Sequence, residues 1–326
     1  MLPGGNEGHN ENTCKGERAV KIVVIGELNV DVIISGTDLI PEWNREKLID
    51  SFDIVLGSSS AITACALAGI GADVQFVSMV GEDDFGRFCV KELERMQVHT
   101  GHVIRNPEVK TGVTLSFSTP SDRGLLTYPG SIPLLKPQDI PEQVFEHAEH
   151  VHFGSYFLQD GMRPHWEALF ARLRSQGITT SFDTGWDVHG EWHREGIDRL
   201  LPHTDLFIPS EEEIMHIYQT ANVEEAGRKL PTGANTVAVK CGSMGAMLLT
   251  PGGSPEMVPS FSVTPVDTTG AGDAFNAGLI YAYRSGLRGR EMVRFANASG
   301  AISTQGIGGT GSLPSASKIE DFLISV

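Results

Sequence analysis

The clearest chemical signal in the chain is a glycine-rich stretch, residues 269–273 (TGAGD), followed by a run of apolar and small residues, 274–283. A run that is apolar all round predicts a buried helix, and the first N–H groups of a helix lack partners within it. Gly270 and Gly272 let a ligand approach those amides, and the helix dipole favours an anion there. Asp273 suits such a site as a base that deprotonates a hydroxyl beside an incoming phosphoryl group. A turn that only caps a helix would have the same pattern.

Composition and charge narrow the function classes. The 326 residues are 40% hydrophobic and 20% charged, which is typical of a folded globular protein. The formal net charge of −16 argues against a nucleic-acid or anionic-membrane partner, because both need a basic surface. No apolar run approaches the roughly 20 residues that a membrane span requires. The four cysteines have no metal-ligand spacing.

Residues 1–18 are rich in Gly, Asn, Glu and Lys, and they contain no apolar stretch of the kind found in secretory signals. We therefore expect a flexible leader over residues 1–18, followed by one domain over residues 19–326. A cytoplasmic protein is the corresponding expectation.

The rest of the chain alternates short β-branched runs with helical segments. Residues 20–26 have the pattern of a central parallel strand. The regular alternation from residue 151 onward predicts an α/β fold with a mostly parallel sheet and helices on both faces. Further strands are expected at 74–80, 151–158, 178–182, 205–208 and 236–240, helices at 61–68, 84–96, 164–176, 193–201, 210–219, 223–230 and 290–304, and a hairpin through 242–249.

Two regions interrupt this rhythm and predict a separate small sheet. Residues 32–56 alternate loosely, which favours strands over a helix. The runs 113–118 and 125–128 flank a turn, which is typical of a hairpin. We expect segments from about 32–56 and 103–130 to form a β-sheet lid over the active face.

Other chemical motifs are missing from the sequence or poorly placed in it. There is no GxxxxGK[ST] phosphate loop, and the first strand ends in GELN (residues 26–29), unlike the GxGxxG of dinucleotide-binding folds. Three histidines between residues 147 and 152 lack the supporting carboxylates of a metal site. Packed or solvated histidines are the better interpretation.

The glycine-rich stretch resembles the second signature of the ribokinase-like (pfkB) family of carbohydrate and nucleoside kinases. Other segments match the family in character and in order, so that the resemblance extends from residue 20 to residue 314. The family implies a three-layer α/β/α core with a β-sheet lid, in agreement with the elements expected above. The other matching segments are 29–31 (NVD), 81–86 (GEDDFG), 209–213 (PSEEE) and 240–246 (KCGSMGA).

The resemblance implies roles for residues at the transfer site. Asp273 would be the general base, and the amides of Gly270, Ala271 and Gly272 would form an anion hole for the phosphoryl group in transfer.

It also implies a site for the acceptor. Asp31 would accept hydrogen bonds from substrate hydroxyls, a role that suits a fixed carboxylate facing a polyol. A solvated loop acid is the alternative. The other residues expected to contact the acceptor are Asn29, Gly57 and Ser58.

The nucleotide and metal sites are implied in the same way. Gly242, Ser243 and Gly245 would support the phosphates and ribose of ATP, although an ordinary hairpin turn has the same pattern. Glu213 would organise Mg²⁺ through its waters. Ser210, Lys240 and Asn297 are also expected at the nucleotide, and Asp267 and Thr269 at a possible monovalent-cation (K⁺) site.

The sequence departs from the family pattern at three positions. Ser210 replaces an asparagine beside the metal, where its hydroxyl reaches less far but is also a good helix N-cap. Ile62 stands where an asparagine usually holds the sugar. Asp187 stands where sugar kinases often have a basic residue, which disfavours a strongly anionic acceptor.

These observations predict an ATP- and Mg²⁺-dependent kinase that phosphorylates a hydroxymethyl group of a small sugar. A nucleoside kinase of the same fold is the nearest alternative, and a catalytically weak sugar- or nucleotide-sensing protein is an alternative from another class. The expected partners are the sugar and ATP, with a homodimer through the lid as a further possibility.

Overall fold

Side chains of the first strand, Lys21–Ile25, point alternately into two hydrophobic cores. The structure is a computed structural model, and it describes residues 19–119, 123–250 and 253–324. Ile22 and Val24 are buried in one core, and Val23 and Ile25 in the other. A strand that is apolar on both faces must be covered by helices on both sides. The chain therefore forms the predicted three-layer α/β/α fold.

In the described parts of the chain, the strands form two separate sheets. The larger has nine strands in the order β13-β12-β11-β10-β9-β8-β1-β4-β5, and it is parallel except where β12 meets β11 and β13. The smaller has the order β3-β2-β6-β7. In chain order the strands are β1 (Lys21–Ile25), β2 (Asn29–Ser35), β3 (Ser51–Leu56), β4 (Asp73–Gly81), β5 (His99–Asn106), β6 (Gly112–Ser118), β7 (Arg123–Tyr128), β8 (His150–Phe153), β9 (Thr179–Phe182), β10 (Leu206–Phe207), β11 (Thr236–Lys240), β12 (Gly245–Leu249) and β13 (Glu256–Pro259).

Helices cover both faces of the large sheet. One face carries α1, α2, α7, α8 and α9, and the other carries α3 to α6. Within the described ranges, no helix is both long enough and apolar enough to cross a bilayer. The helices are α1 (Ser59–Ile70), α2 (Asp84–Arg95), α3 (Trp166–Ser175), α4 (Arg194–Leu200), α5 (Glu211–Tyr218), α6 (Val223–Arg228), α7 (Ala271–Arg284), α8 (Gly289–Ser303) and α9 (Ala316–Ile324).

The small sheet has one apolar face and one polar face. Val32 in β2 lies opposite Ile54 in β3 and Leu115 in β6, whereas its neighbour Asp31 lies opposite Thr114. Successive side chains of a strand point to opposite faces, so Asp31 and Thr114 share the polar face. The sheet thus presents carboxylate and hydroxyl groups on one side and aliphatic groups on the other.

The structure corrects several element predictions. Residues 99–106 form β5 and pair in parallel with β4, so the second lid segment begins at Gly112 and not near residue 103. Strand β8 ends at Phe153, because Ser155 adopts a left-handed conformation with φ 54° that no strand continues through. Strand β13 and helix α9 were not predicted. The expected leader and most of the hairpin turn, residues 120–122, lie outside the described residues.

Phe153 is expected to contribute strongly to stability. Its ring stacks on Trp166 with centroids 3.8 Å apart and lies 5.2 Å from Phe182. Because Phe153 is fully buried, Phe153→Ala should lower the free energy of unfolding by about 3–5 kcal/mol, measured by urea denaturation. Trp43→Ala, at an aromatic side chain that is 95% exposed, is the matched control and should cost about 0.5 kcal/mol or less. Equal effects of the two variants would contradict this packing argument.

Candidate active site

The glycine-rich stretch forms the start of helix α7. Gly270 adopts the left-handed conformation with φ 76°, and a Cβ there would stand 2.6 Å from Gly309 Cα. The amide of Ala271 donates to Thr268 O at 3.2 Å. Within the described residues, no acceptor is found for the amides of Gly270, Gly272 or Asp273. The unpaired amides at this helix start are therefore those of three residues, with Asp273 N–H in place of the predicted Ala271 N–H.

Asp273 stands at this helix start as a partly exposed carboxylate. Ser59 Oγ donates a hydrogen bond of 2.5 Å to Asp273 Oδ1. Burial raises the pKa of Asp273 to about 7, and the nearby Asp183 and Glu27 carboxylates act in the same direction. The Ser59 hydroxyl and the Lys240 ammonium lower the same pKa. A carboxyl with a pKa near neutrality is matched to work as a general base.

A buried hydrogen-bond chain links Asp273 to Lys240. Asp183 Oδ2 accepts from Asn276 Nδ2 at 2.6 Å and lies 3.3 Å from Ser59 Oγ. Lys240 Nζ donates to Asn276 Oδ1 at 3.2 Å. A Cβ on Gly272 would stand 3.7 Å from Lys240 Nζ, so the ammonium lies beside the unpaired amides. The helix start therefore combines amide donors with one fixed positive charge.

The predicted acceptor residues meet on the polar face of the small sheet. Asn29 Nδ2 donates to Asp31 Oδ1 at 2.9 Å, and a Cβ on Gly57 would collide with that same oxygen. Gly57 is thus required for the close approach of α1 to β2. Thr114 and Thr127 continue the polar row, with their hydroxyl oxygens 3.0 Å apart. Neither threonine was predicted, although the alternation along β6 could have indicated Thr114.

A cavity of about 600 Å³ adjoins the start of α7 on the other side. It is lined by the predicted residues Lys240, Gly242, Ser243, Gly245 and Asn297, together with apolar groups that include Phe275. Asn297 Nδ2 donates to Val258 O and Pro259 O, so this side chain holds β13 in place and also lines the cavity. A cavity with apolar walls and a few convergent polar groups is typical of a small-molecule site.

Glu213 and Ser210 lie beside this region at the start of α5. They form a capping box, in which Ser210 N donates to Glu213 Oε2 at 2.8 Å and Glu213 N donates to Ser210 Oγ at 3.3 Å. Thr184 Oγ1 also donates to Oε2, at 3.0 Å. Burial raises the pKa of Glu213, while Lys240 opposes this shift. Two donors hold Oε2, and among the residues that the structure describes none donates to Oε1. A carboxylate oxygen is the ligand type that Mg²⁺ prefers.

Asp267 and Thr269, the pair predicted for a monovalent cation, are hydrogen-bonded to each other and connect two loops. Asp267 Oδ1 accepts from Thr269 N at 2.9 Å and from Thr269 Oγ1 at 2.7 Å, and Asp267 Oδ2 accepts from Gly308 N at 2.8 Å. These bonds tie the loop before α7 to the loop after α8. A K⁺ site at Asp267 and Thr269 stays a prediction.

Comparison with known proteins identifies the family. The model of the pfkB family carbohydrate kinases matches residues 19–316. The chain belongs to the pfkB family. It is 32% identical over 306 residues to an ATP-dependent ribose-1-phosphate kinase from Halopiger xanaduensis, with 93% of this chain and 98% of the relative covered. The protein is therefore an enzyme of the kinase class.

Solved structures agree with this fold. An E. coli protein assigned as a ribokinase II, in complex with ATP and Mg²⁺, has a TM-score of 0.80 at 23% identity, covering 94% of this kinase and all (100%) of that chain. Fructokinase from Vibrio cholerae, bound to fructose, ADP and calcium, has a TM-score of 0.77 at 26% identity, with 93% and 99% covered. The arrangement of core and lid is thus that of ribokinase-like enzymes.

Ser58, which the sequence resemblance placed at the acceptor, has hydrogen-bond partners within the protein. Its hydroxyl accepts from Ala61 N at 3.0 Å as the N-cap of α1 and donates to Glu27 O at 2.5 Å. Only 7% of the residue is exposed. The one proton of the hydroxyl is donated within the protein, so Ser58 as placed here cannot donate to the acceptor, and its contact with the acceptor stays a prediction. Ser59, the next residue, is the one that reaches the site.

Ile62 and Asp187 have structural roles. Ile62 is buried and packs against the positions of Gly270 and Gly309, so it stabilises the loop beside α7. Asp187 is 3% exposed, and its carboxylate accepts from His189 N at 2.9 Å and Trp192 N at 2.6 Å. These amides lower the pKa of Asp187 against the effect of burial. Asp187 is thus held within its own loop. The expectation that an anionic acceptor is disfavoured rests on the lack of a basic residue at this position, and it stays a prediction.

The raised pKa of Asp273 predicts a pH-dependent stability difference. Its pKa of about 7 in the folded protein exceeds the ordinary value of 3.8, so ionisation of Asp273 opposes folding. The wild type should lose stability relative to Asp273→Asn as the pH rises from about 4 to about 7, with no further change above. Melting temperatures of both proteins across this range provide the measurement. The exposed Asp321→Asn is the control, and a constant difference between wild type and Asp273→Asn would refute the shift.

Proposed function

We propose that this kinase transfers the γ-phosphoryl group of ATP to a hydroxymethyl group of a small sugar, with Asp273 as the general base. The observation that carries the proposal is the position of Asp273. It lies among unpaired amides at the start of α7, next to Gly272 in the wall of the cavity that Lys240 also lines. It also accepts from Ser59, two residues after the Gly57 that lies against Asp31. A base between a nucleotide site and a hydroxyl-binding face is what phosphoryl transfer to an alcohol needs.

The reaction would follow from this arrangement. Asp31 orients the acceptor hydroxyls, and Asp273 takes the proton of the attacking hydroxyl as its oxygen bonds to the phosphorus. The bond from phosphorus to the leaving oxygen of ADP breaks in the same in-line displacement. Amides of Gly270 and Gly272 and the Lys240 ammonium stabilise the negative charge on the phosphoryl oxygens. Bound near Glu213, Mg²⁺ would neutralise charge on the nucleotide phosphates.

The acceptor has more than one candidate. The hydroxyl-rich lid face supports a neutral sugar, and a nucleoside is the alternative with the same fold. A pentose 1-phosphate is a second candidate, since the Halopiger relative is named for ribose-1-phosphate and the Asp187 carboxylate is hydrogen-bonded within its own loop. Turnover of ATP with ribose, fructose, ribose 1-phosphate and nucleosides, followed by mass spectrometry of the products, would decide between them. No turnover with any acceptor would favour a sensing protein.

Asp273→Asn should reduce kcat by about 10²–10⁴ and leave ATP binding largely intact, because the amide cannot accept the proton but keeps the helix start. In the wild type, kcat/KM should rise with pH through a midpoint near 7, since the base works only when ionised. Steady-state kinetics from pH 5.5 to 9 and calorimetric ATP binding provide the measurements.

Asp321→Asn, at an exposed carboxylate of α9, is the matched control and should keep the wild-type kcat. An Asp273→Asn enzyme with full activity would eliminate Asp273 as the base.

We also propose that two lids associate in a homodimer. The apolar face of the small sheet leaves Phe52 61%, Leu126 63% and Tyr128 54% exposed. Strands β3 and β7 end the sheet on either side, so a second copy of the same sheet could cover this face and pair with an edge.

Sedimentation velocity should show a dimer of the wild type and a monomer of Leu126→Lys, because a buried lysine would be desolvated in the interface. Leu125→Lys is the control, since Leu125 is the adjacent residue on β7 and points to the opposite face. A wild-type monomer at tens of micromolar would exclude this assembly.

A further inference from the structure

Ser59 stands between two carboxylates at the centre of the site. Its Oγ lies 2.5 Å from Asp273 Oδ1 and 3.3 Å from Asp183 Oδ2. A serine hydroxyl has one proton to donate, so it can serve only one of these oxygens at a time. The shorter distance assigns that proton to Asp273.

The groups around Ser59 are held in place by hydrogen bonds of their own. Its neighbours Ser58 and Ser60 donate to Glu27, which leaves Ser59 as the hydroxyl of this turn that faces the cleft. Asp183 is 2% exposed and is held by Ser155 N at 2.8 Å and by Asn276. Because the backbone and Asp183 are both held, only rotation of the Ser59 hydroxyl can change which carboxylate it serves.

Asp273 uses only one oxygen in this contact. Among the described residues, no hydrogen bond reaches Asp273 Oδ2, while Oδ1 accepts from Ser59. A carboxylate held through one oxygen keeps the other for the proton of the acceptor, and its plane is set by the bond to Ser59.

We propose that Ser59 is a positioning residue for the phosphoryl-transfer base, which holds Asp273 through Oδ1, leaves Oδ2 for the acceptor proton, and turns its hydroxyl to Asp183 once Asp273 is neutral. The proton of the acceptor passes to Asp273 Oδ2, and the proton of Ser59 stays on its own oxygen. The inference rests on the proposed function, because it presumes that Asp273 is the base.

The charged groups around Asp273 set the expected direction of each substitution. Asp183 at the end of β9 and Glu27 after β1 raise the pKa of Asp273, and Lys240 at the end of β11 lowers it. His152 on β8 is fully buried, and burial lowers its pKa to about 4, so it is neutral in the relevant range. Loss of the Ser59 donor should therefore raise the midpoint, and loss of the Asp183 charge should lower it.

The test is the titration of the Asp273 carboxyl by ¹³C NMR in protein labelled at aspartate, with Asp273→Asn used to assign the signal. Ser59→Ala should move the midpoint up by about one pH unit, a tenfold change in the ionisation constant, because a hydrogen bond to the charged form is lost. Ser59→Thr should restore the wild-type midpoint. Asp183→Asn should move it in the opposite direction.

Kinetics give the second readout. The kcat/KM profile of Ser59→Ala should shift to higher pH together with the NMR midpoint, while KM for the acceptor changes little. Ser60→Ala is the matched control, since its hydroxyl serves Glu27, and its midpoint should equal that of the wild type. Melting temperatures of all variants establish that each is folded.

An unchanged midpoint in Ser59→Ala, or a Ser59→Thr variant that behaves like the alanine variant, would overturn the proposal. A higher acceptor KM with an unmoved profile would also overturn it, because Ser59 would then be an acceptor contact. NMR shifts in the expected directions, in a protein that phosphorylates none of the acceptors, would support the positioning and overturn the proposed function.

Discussion

The site depends on one constraint, which is that a carboxylate must remain ionisable at a place arranged for an anion. Asp273 is desolvated and faces the charge of Asp183, and both effects favour its neutral form. The Ser59 hydroxyl and the Lys240 ammonium oppose them. The balance leaves the pKa of this carboxyl at about 7. At neutral pH the group is then ionised for much of the time and is still basic enough to take a proton.

The three consecutive serines at the start of α1 have different hydrogen-bond partners. Ser58 caps the helix, Ser60 donates to the buried Glu27, and Ser59 donates to Asp273. Glu27 also accepts from Ser155 Oγ at 3.0 Å, so one carboxylate ties together the ends of β1 and β8 and the start of α1. A buried carboxylate with several donors is a rigid junction, because loss of any donor leaves a charge poorly solvated. Asp273 is therefore hydrogen-bonded to a turn that is itself held by Glu27.

The lid shows how alternation along a strand gives one sheet two chemically different faces. Asp31 and Thr114 share one face, and Val32 and Leu115 share the other. The proposed acceptor and a second lid would thus contact opposite faces of the same four strands, and therefore different side chains. A shift of one residue in register would exchange the two faces, so the register between β2 and β6 is strongly constrained.

Much of this was accessible from sequence because the signals were local. The glycine-rich stretch, the β-branched strands and the hairpin predicted the three-layer core, the lid and the position of Asp273, since these patterns depend on neighbours a few residues apart. Residue 103 was assigned to the lid because β5 is an edge strand of mixed polarity, and only pairing with β4 reveals its sheet. The hydrogen bonds of Ser58 and Asp187 were not predicted for a similar reason. Sequence comparison indicates where a residue stands, and it does not indicate which hydrogen bonds its side chain has already made.

By itself, the sequence determined the fold class and the family and placed Asp273 at a glycine-rich helix start, because hydrophobic periodicity and glycine spacing are local properties of the chain. Only the tertiary structure decided the partners of that base. Ser59, Asp183, Asn276 and Lys240 lie on α1, at the end of β9, on α7 and on β11, and the sheet order brings them within hydrogen-bond distance of one another. The ionisation of Asp273 depends on those distances, and no spacing along the chain encodes them.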